Sequence, residues 1–414
     1  MKIHWKVCFA SFLLFAFLIP ALAQDIEERV KTLETWMKEP PQYIKSYEGD
    51  KIKIGGELEF EFVKTQDDED LPADNPIGRF QVDKLRLKAK VKARDDIEFR
   101  LTLDFEIDEV EIDEAYLTIE DIVVSGQEIS LGLQDRFISD SIERLTEGSP
   151  MARTAFYRYP DLGIQYKGKY GSVYWCASVT NGLVLYKEEE EIDFDEEEIV
   201  TEIKLNTKQI GEDNDKRDKI IRDDTITKDP NVNKQVGIGL GLAPNLGDYG
   251  FLDVLVFGYF SKLCDNDLEA LSTLPDAPDA EDNEDKTQGR YGANLAYTKD
   301  ALEVYSQYVK AEDSFLLRHC WFVQASYKLD LGLRYLKAIQ PLVRYGEYCT
   351  NRTPEPGTKK RRYLTWDRKR TTIALLNHIE ERVILKLEYA INDEKTGGEK
   401  PKNDEFLAQL EYKF

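Results

Sequence analysis

From Ile52 to its last residue the chain alternates. Ile52, Ile54, Gly56, Leu58, Phe60 and Phe62 are separated by Lys53, Gly55, Glu57, Glu59 and Glu61. Ile97, Phe99, Leu101, Leu103, Phe105 and Ile107 are separated by Glu98, Arg100, Thr102, Asp104 and Glu106. At the C-terminus Phe406, Ala408, Leu410, Tyr412 and Phe414 repeat the pattern. A period of two puts successive side chains on opposite faces of a strand. Each strand therefore has one apolar and one charged face. A soluble sandwich turns the apolar face to its core, whereas a membrane barrel turns it to lipid and encloses water. The period alone fits both.

Lengths separate them. The pattern predicts sixteen strands, at 52–64, 79–92, 97–107, 110–121, 128–137, 162–169, 172–181, 235–243, 250–261, 289–298, 301–311, 319–329, 336–349, 368–378, 381–392 and 404–414. Most reach the roughly 9–11 residues of a tilted strand crossing a bilayer, against about 5–6 for the mean globular strand. The connections also alternate. Ala93 to Asp96, Tyr170-Gly171 and Lys299-Asp300 are short, while Gly182 to Lys234, Lys262 to Gln288 and Cys349 to Asp367 are long. Short turns at one end and long loops at the other suit a transmembrane antiparallel β-barrel. Ile199 to Asn206 is a further strand-like run. Placed in a long loop it leaves sixteen strands; counted in the wall it leads to eighteen.

The ends read differently. Lys2 and Lys6, the apolar run Val7 to Ile19 and Ala21-Leu22-Ala23 form a signal peptide over 1–23, with a non-cleaved anchor as the alternative. Ile26, Val30, Leu33 and Met37 recur at heptad spacing, so 24–41 reads as a short coiled-coil-like helix, closed by Pro40-Pro41. The barrel region is 52–414. The formal net charge of −23 argues against nucleic-acid partners and suits an exported protein. Four cysteines follow the leader at Cys176, Cys264, Cys320 and Cys349; their spacing fits no metal motif and leaves room for one disulfide without choosing the pair.

The ending FLAQLEYKF, with its terminal Phe414, resembles the signal read by the outer-membrane barrel assembly machinery. The short N-terminal helix, IDEAYLTI (Ile112–Ile119), the stretch from Leu131 to Gly171 and IQPLVRYGEY (Ile339–Tyr348) resemble the phosphate-selective porin O and P family of outer-membrane porins. That resemblance implies a sixteen-stranded, homotrimeric porin whose third long loop, here 138–161, folds into the lumen as a constriction. The family's phosphate-selective members carry many arginines and lysines there. This loop has Arg144, Arg153 and Arg158, but also Asp140, Glu143, Glu147 and Asp161. Arg153 and Arg158 are the groups expected to reach the eyelet, or else to pair with the loop's own acids.

The strongest charge signal is KLRLKAKVK, which sets Lys84, Arg86, Lys88, Lys90 and Lys92 on one face. The Ala93 to Asp96 turn sets a hairpin register that pairs Val91 with Phe99. Arg86 then faces Asp104, Lys84 faces Glu106 and Lys92 faces Glu98. Lys88, Lys90 and Arg100 remain as a small positive patch. Either they form an anion path along the wall, or the wall is largely self-neutralised. Arg344 falls opposite Val343 and Tyr345 and is a further lumen candidate. The acidic runs Glu188–Glu198 and Cys264–Asp285 read as solvated loops or as divalent-cation ties to lipid headgroups, though no calcium-loop motif is present.

Enzyme chemistry lacks its residues. After the leader only His319 and His378 occur, at opposite ends of their predicted strands, and there is no G-x-S-x-G. The reading therefore calls for no catalytic residue, cofactor or metal. It expects an outer-membrane channel for small anions or hydrophilic solutes, surrounded by lipid. The rivals are a phosphate- or pyrophosphate-selective channel and a secreted or surface β-rich adhesion protein.

Overall fold

The structure is a computed structural model that describes residues 52–65, 78–105, 110–122, 124–139, 142–143, 145–146, 160–187, 221–224, 233–272, 285–352, 367–395 and 403–414. The chain divides into two compact units, Met1–Lys53 and Ile54–Phe414. The leader, the heptad helix and the Ile199–Asn206 run lie outside the described residues.

The strands, in chain order, are β1 (Ile52–Thr65), β2 (Arg79–Arg94), β3 (Ile97–Phe105), β4 (Val110–Glu120), β5 (Gln127–Gln134), β6 (Asp161–Tyr170), β7 (Val173–Thr180), β8 (Val184–Lys187), β9 (Ile221–Asp224) and β10 (Gln235–Leu242). There follow β11 (Phe251–Lys262), β12 (Thr287–Lys299), β13 (Leu302–Asp313), β14 (Leu316–Tyr327), β15 (Leu329–Asp330), β16 (Ala338–Arg352), β17 (Asp367–Glu380), β18 (Val383–Lys395) and β19 (Glu405–Lys413). Each wall strand is antiparallel to its neighbours, and β1 pairs with both β2 and β19. The sheet closes on itself as a sixteen-strand barrel. Outside that count, β8 and β9 form a separate hairpin in the long loop after β7, and β15 is a two-residue step beside β16.

Burial is inverted relative to a soluble protein. Leu58, Phe60, Val179, Ile238, Leu240, Val256, Val343 and Ile373 are exposed, while Glu57, Glu59, Gln165, Asn294, Gln324 and Gln409 are buried. That ordering fits strands with an apolar outer face and a polar lumen, and it rules out the sandwich arrangement. No helix among the described residues is long and apolar enough to cross a membrane, which says nothing of strands.

The turns after β2, β6, β12 and β17 are short, as the alternation predicts, and define a short-turn end. The opposite, long-loop end has two exceptions: only residues 106–109 separate β3 from β4, and β13 and β14 join through Ser314-Phe315 alone. Strand boundaries also move by up to three residues; β16 and β18 each run three residues further, to Arg352 and Lys395. The strand expected at 128–137 stops at Gln134, because Phe137–Ser139 turns off as a 3-10 helix. Strand β14 begins at Leu316 rather than at 319.

A small second cluster sits at the long-loop end. Helix α1 (Asp265–Ser272) packs Leu268 and Leu271 against Leu185, Leu263 and Leu316. Asp267, fully buried, accepts hydrogen bonds from the backbone N–H groups of Leu185 and Cys264, both at 2.7 Å. Burial raises its carboxyl pKa above the ordinary aspartate value. The four described cysteines are free.

Candidate functional site: the barrel lumen

Two very different inner walls face each other. On the side of β7 and β10 to β16, the lumen face carries an apolar and aromatic cluster among buried amides and arginines. Cys176, Leu255, Phe257, Tyr259, Tyr305 and Phe322 form one cluster with Phe137 and Ile138. These last two belong to the connection after β5, so that connection lies against the inner wall. Phe137 stacks on Tyr259 with ring centroids 4.8 Å apart. It fits because β10 presents a glycine: a Cβ on Gly239 would stand 2.9 Å from the Phe137 ring. The run VGIGLGL thus serves as a bed for aromatic rings rather than as a phosphate-cradling loop.

Wall side chains hold the backbone of that segment. Asn294 and Gln307 donate to the Ile138 carbonyl at 2.6 and 3.0 Å, and Gln324 donates to the Glu143 carbonyl at 3.2 Å. At its start, Arg136 pairs with Asp161 at 2.6 Å, both buried, and Asp161 also accepts from the Gly182 N–H. Buried carbonyls need such partners. Leu145 continues the path to Leu342, Ala374 and Leu376. Arg144, Glu147, Arg153 and Arg158 lie outside the described residues. Arg344 faces inward but is 2% exposed and donates to Gln324 at 3.3 Å. It is packed in the wall rather than presented to water.

The other wall, β18–β19–β1–β2–β3–β4, is charged. The hairpin register is the one the turn length predicts: Arg86 faces Asp104, Lys88 faces Thr102, Lys90 faces Arg100 and Lys92 faces Glu98. The ion pairs go further than that register. Arg86 forks onto Asp104 and also meets Asp113 at 3.1 Å. A bulge opposite Thr102 and Leu103 turns Asp113 inward beside Glu114. Lys84 pairs with Glu59 at 3.3 Å and Lys88 with Glu57 at 3.7 Å, across the seam to β1. Arg100 pairs with Glu98 at 2.5 Å and stacks over Tyr116. Glu106, the expected partner of Lys84, lies outside the described residues. Of the positive patch Lys88, Lys90 and Arg100, only Lys90 makes no ion pair with a described residue; Lys92 joins it.

Sequence reasoning missed the other half of this network. Lys386 meets Glu411 at 2.7 Å and Glu59 at 3.5 Å, and Lys413 meets Glu411 at 2.5 Å and Glu57 at 3.6 Å. The signal was present as Glu57, Glu59 and Glu61 on alternate positions, but their partners are set only when β19 closes onto β1. Within the network the carboxylates and Lys386 are recessed, while two lysines stand forward: the Glu57 and Glu411 side chains are 10% and 5% exposed and Lys386 6%, against 47% for Lys88 and 56% for Lys413. Glu57, Glu59 and Glu411 lie close enough to share a metal ion, but ammonium groups already occupy the space between them.

His378 faces the lumen and contacts Gln340 at 3.0 Å, whereas His319 lies near the long-loop end of β14, in register with Cys349. The two histidines do not share a site.

Several solved structures share this architecture. The chain is similar to the high-pH structure of Pseudomonas putida OprB (TM-score 0.57, 7% identity, 92% of this chain and 97% of that one). It is also similar to Salmonella typhi OmpF in complex with daunomycin (0.54, 12%, 88% and 98%) and to the outer membrane channel DcaP of Acinetobacter baumannii (0.52, 13%, 88% and 97%). At these identities the likeness carries the fold: a porin-type barrel. No protein-family model matches the chain, and no curated protein sequence matches it. The narrower resemblance to the phosphate-selective family is therefore not carried by these matches.

Proposed function

We propose that this protein is an outer-membrane porin, a water-filled channel for passive diffusion of small hydrophilic solutes and ions. The inverted burial of a closed sixteen-strand wall carries the reading: apolar residues face out while charged and amide residues line the interior. The segment around Ile138, held on one inner wall, narrows the passage and leaves the charged wall to meet the solute. The leader 1–23 would export the chain, Phe414 would present it to the assembly machinery, and homotrimers in lipid would be its working form. A weak anion preference follows from the forward lysines over recessed carboxylates. Phosphate selectivity is the second reading, favoured only by the exposed pair Lys90 and Lys92. Neither reading asks for covalent chemistry.

Purified protein in planar bilayers should give ohmic single-channel steps, and reversal potentials under a salt gradient should lie slightly to the anion side. Absence of conductance from heat-modifiable, folded protein would remove the channel reading. Competition of chloride current by inorganic phosphate would favour the second.

A further inference from the structure

The inward charges of the exposed wall are sorted along the barrel axis. In the long-loop half, Asp104, Glu111 and Asp113 face inward with Lys84 and Arg86 among them, and Glu61 is recessed. In the short-turn half, Lys88, Lys90, Lys92 and Lys413 stand forward, and their carboxylate partners Glu57 and Glu411 are recessed. Glu98 is paired with Arg100, and Glu114 accepts from the Thr102 hydroxyl at 3.0 Å. On the opposite wall Glu303, near the short-turn end, accepts from Ser326 and Gln340 and works against this sorting. Other charges of that wall are buried: Arg344 is 2% exposed, and Arg290 and Arg318 share Asp313 at 2.8 and 2.6 Å.

We propose that the lumen is an axially polarised conductor, passing more current in one direction than in the other. This rests on the channel reading and adds a directional property to it. Fixed charges of one sign gather mobile ions of the other. Cations gather in the acidic half and anions in the lysine-fronted half. With the long-loop side positive, the field drives both populations toward the middle of the pore, and its conductance rises. With the opposite polarity it draws them apart, and the middle is depleted. Small anionic solutes entering from the short-turn side meet their attractive half first.

Single channels in an uncharged planar bilayer test this. A peptide tag in the 353–366 loop, bound by antibody added to one side, reports the orientation of each insertion. In 0.1 M potassium chloride the current is expected to be larger with the long-loop side positive. In 1 M salt the asymmetry should vanish, because the screening length falls from about 10 Å to about 3 Å. Lys90→Glu with Lys92→Glu should abolish or invert the asymmetry. Neither lysine pairs with a described residue, so the barrel should persist, and heat-modifiable gel migration verifies it. Glu111→Gln should reduce the asymmetry from the other half. Symmetric wild-type currents in 0.1 M salt would overturn the proposal while leaving the channel reading intact, as would the opposite sign or asymmetry unchanged in both variants. No conductance at all would instead sink the channel reading itself.

Discussion

Phe137→Ala probes the seat of the inward segment. Phe137 is fully buried between Tyr259 and the bare backbone at Gly239. Truncating such a phenylalanine costs about 3–5 kcal/mol in a packed core. The loss falls on docking of the segment rather than on the wall, whose strands keep their own ladders. At about 1.4 kcal/mol per tenfold, a loss of about 3 kcal/mol weakens docking on the order of a hundredfold. The bonds to the Ile138 and Glu143 carbonyls and the Arg136–Asp161 pair remain. The segment should therefore loosen rather than leave, and single channels should become noisier with a larger mean conductance. The assay is long single-channel recording, with heat-modifiable migration as the control for a folded barrel. Unchanged conductance and noise in a folded variant would mean that this segment does not narrow the path.

Gly239→Val should mimic that loosening from the opposite side, since its branched side chain claims the space of the Phe137 ring; a conductance identical to wild type would contradict the packing. Asp313→Asn leaves two buried guanidiniums without their shared carboxylate, so the melting transition in detergent should fall by the equivalent of about 3–5 kcal/mol. Gly56→Val should slow folding into lipid vesicles, because the Phe414 ring rests on Gly56 and their backbones exchange two hydrogen bonds of 3.0 Å; adding Phe414→Ala should partly rescue it, and an absence of rescue would show that the ring contact is incidental. Lys386→Met removes the cation between Glu59 and Glu411 and should shift the reversal potential toward cations.

The strands were legible because two solvents enforce the alternation. Lipid outside and water inside punish any slip of register by one residue, so the sixteen predicted wall strands occur within a few residues of their expected bounds. The β2–β3 pairing was legible for a similar reason: a short turn fixes which residues face each other. Phe137 was misread as strand because it continues the odd-numbered apolar positions Leu131 and Leu133. Nothing local distinguishes a ring that faces lipid from one that turns onto Tyr259. Asp113 was hidden by a bulge, which breaks the period at the place where chemistry is added. The lysine sockets were hidden by closure, since Glu59 meets Lys386 only through a seam joining the two ends of the sheet.

That seam also explains how an acidic chain can offer a lysine-fronted path. Inward positions two residues apart on one strand lie about 7 Å from each other. Glu57, Glu59 and Glu61 would therefore repel one another if β1 stood alone. Pairing with β2 brings Lys84 and Lys88 to this row from one side, and closure brings Lys386 and Lys413 from β18 and β19 on the other. A lysine is long and its carboxylate partner shorter, so Lys88 and Lys413 hold their ammonium groups nearer the water while Lys386 stays buried. Net charge then says little about what a solute meets. Acids in distant loops weigh less on the path than an exposed ammonium beside it, because a Debye length of about 8 Å at physiological salt screens the distant ones.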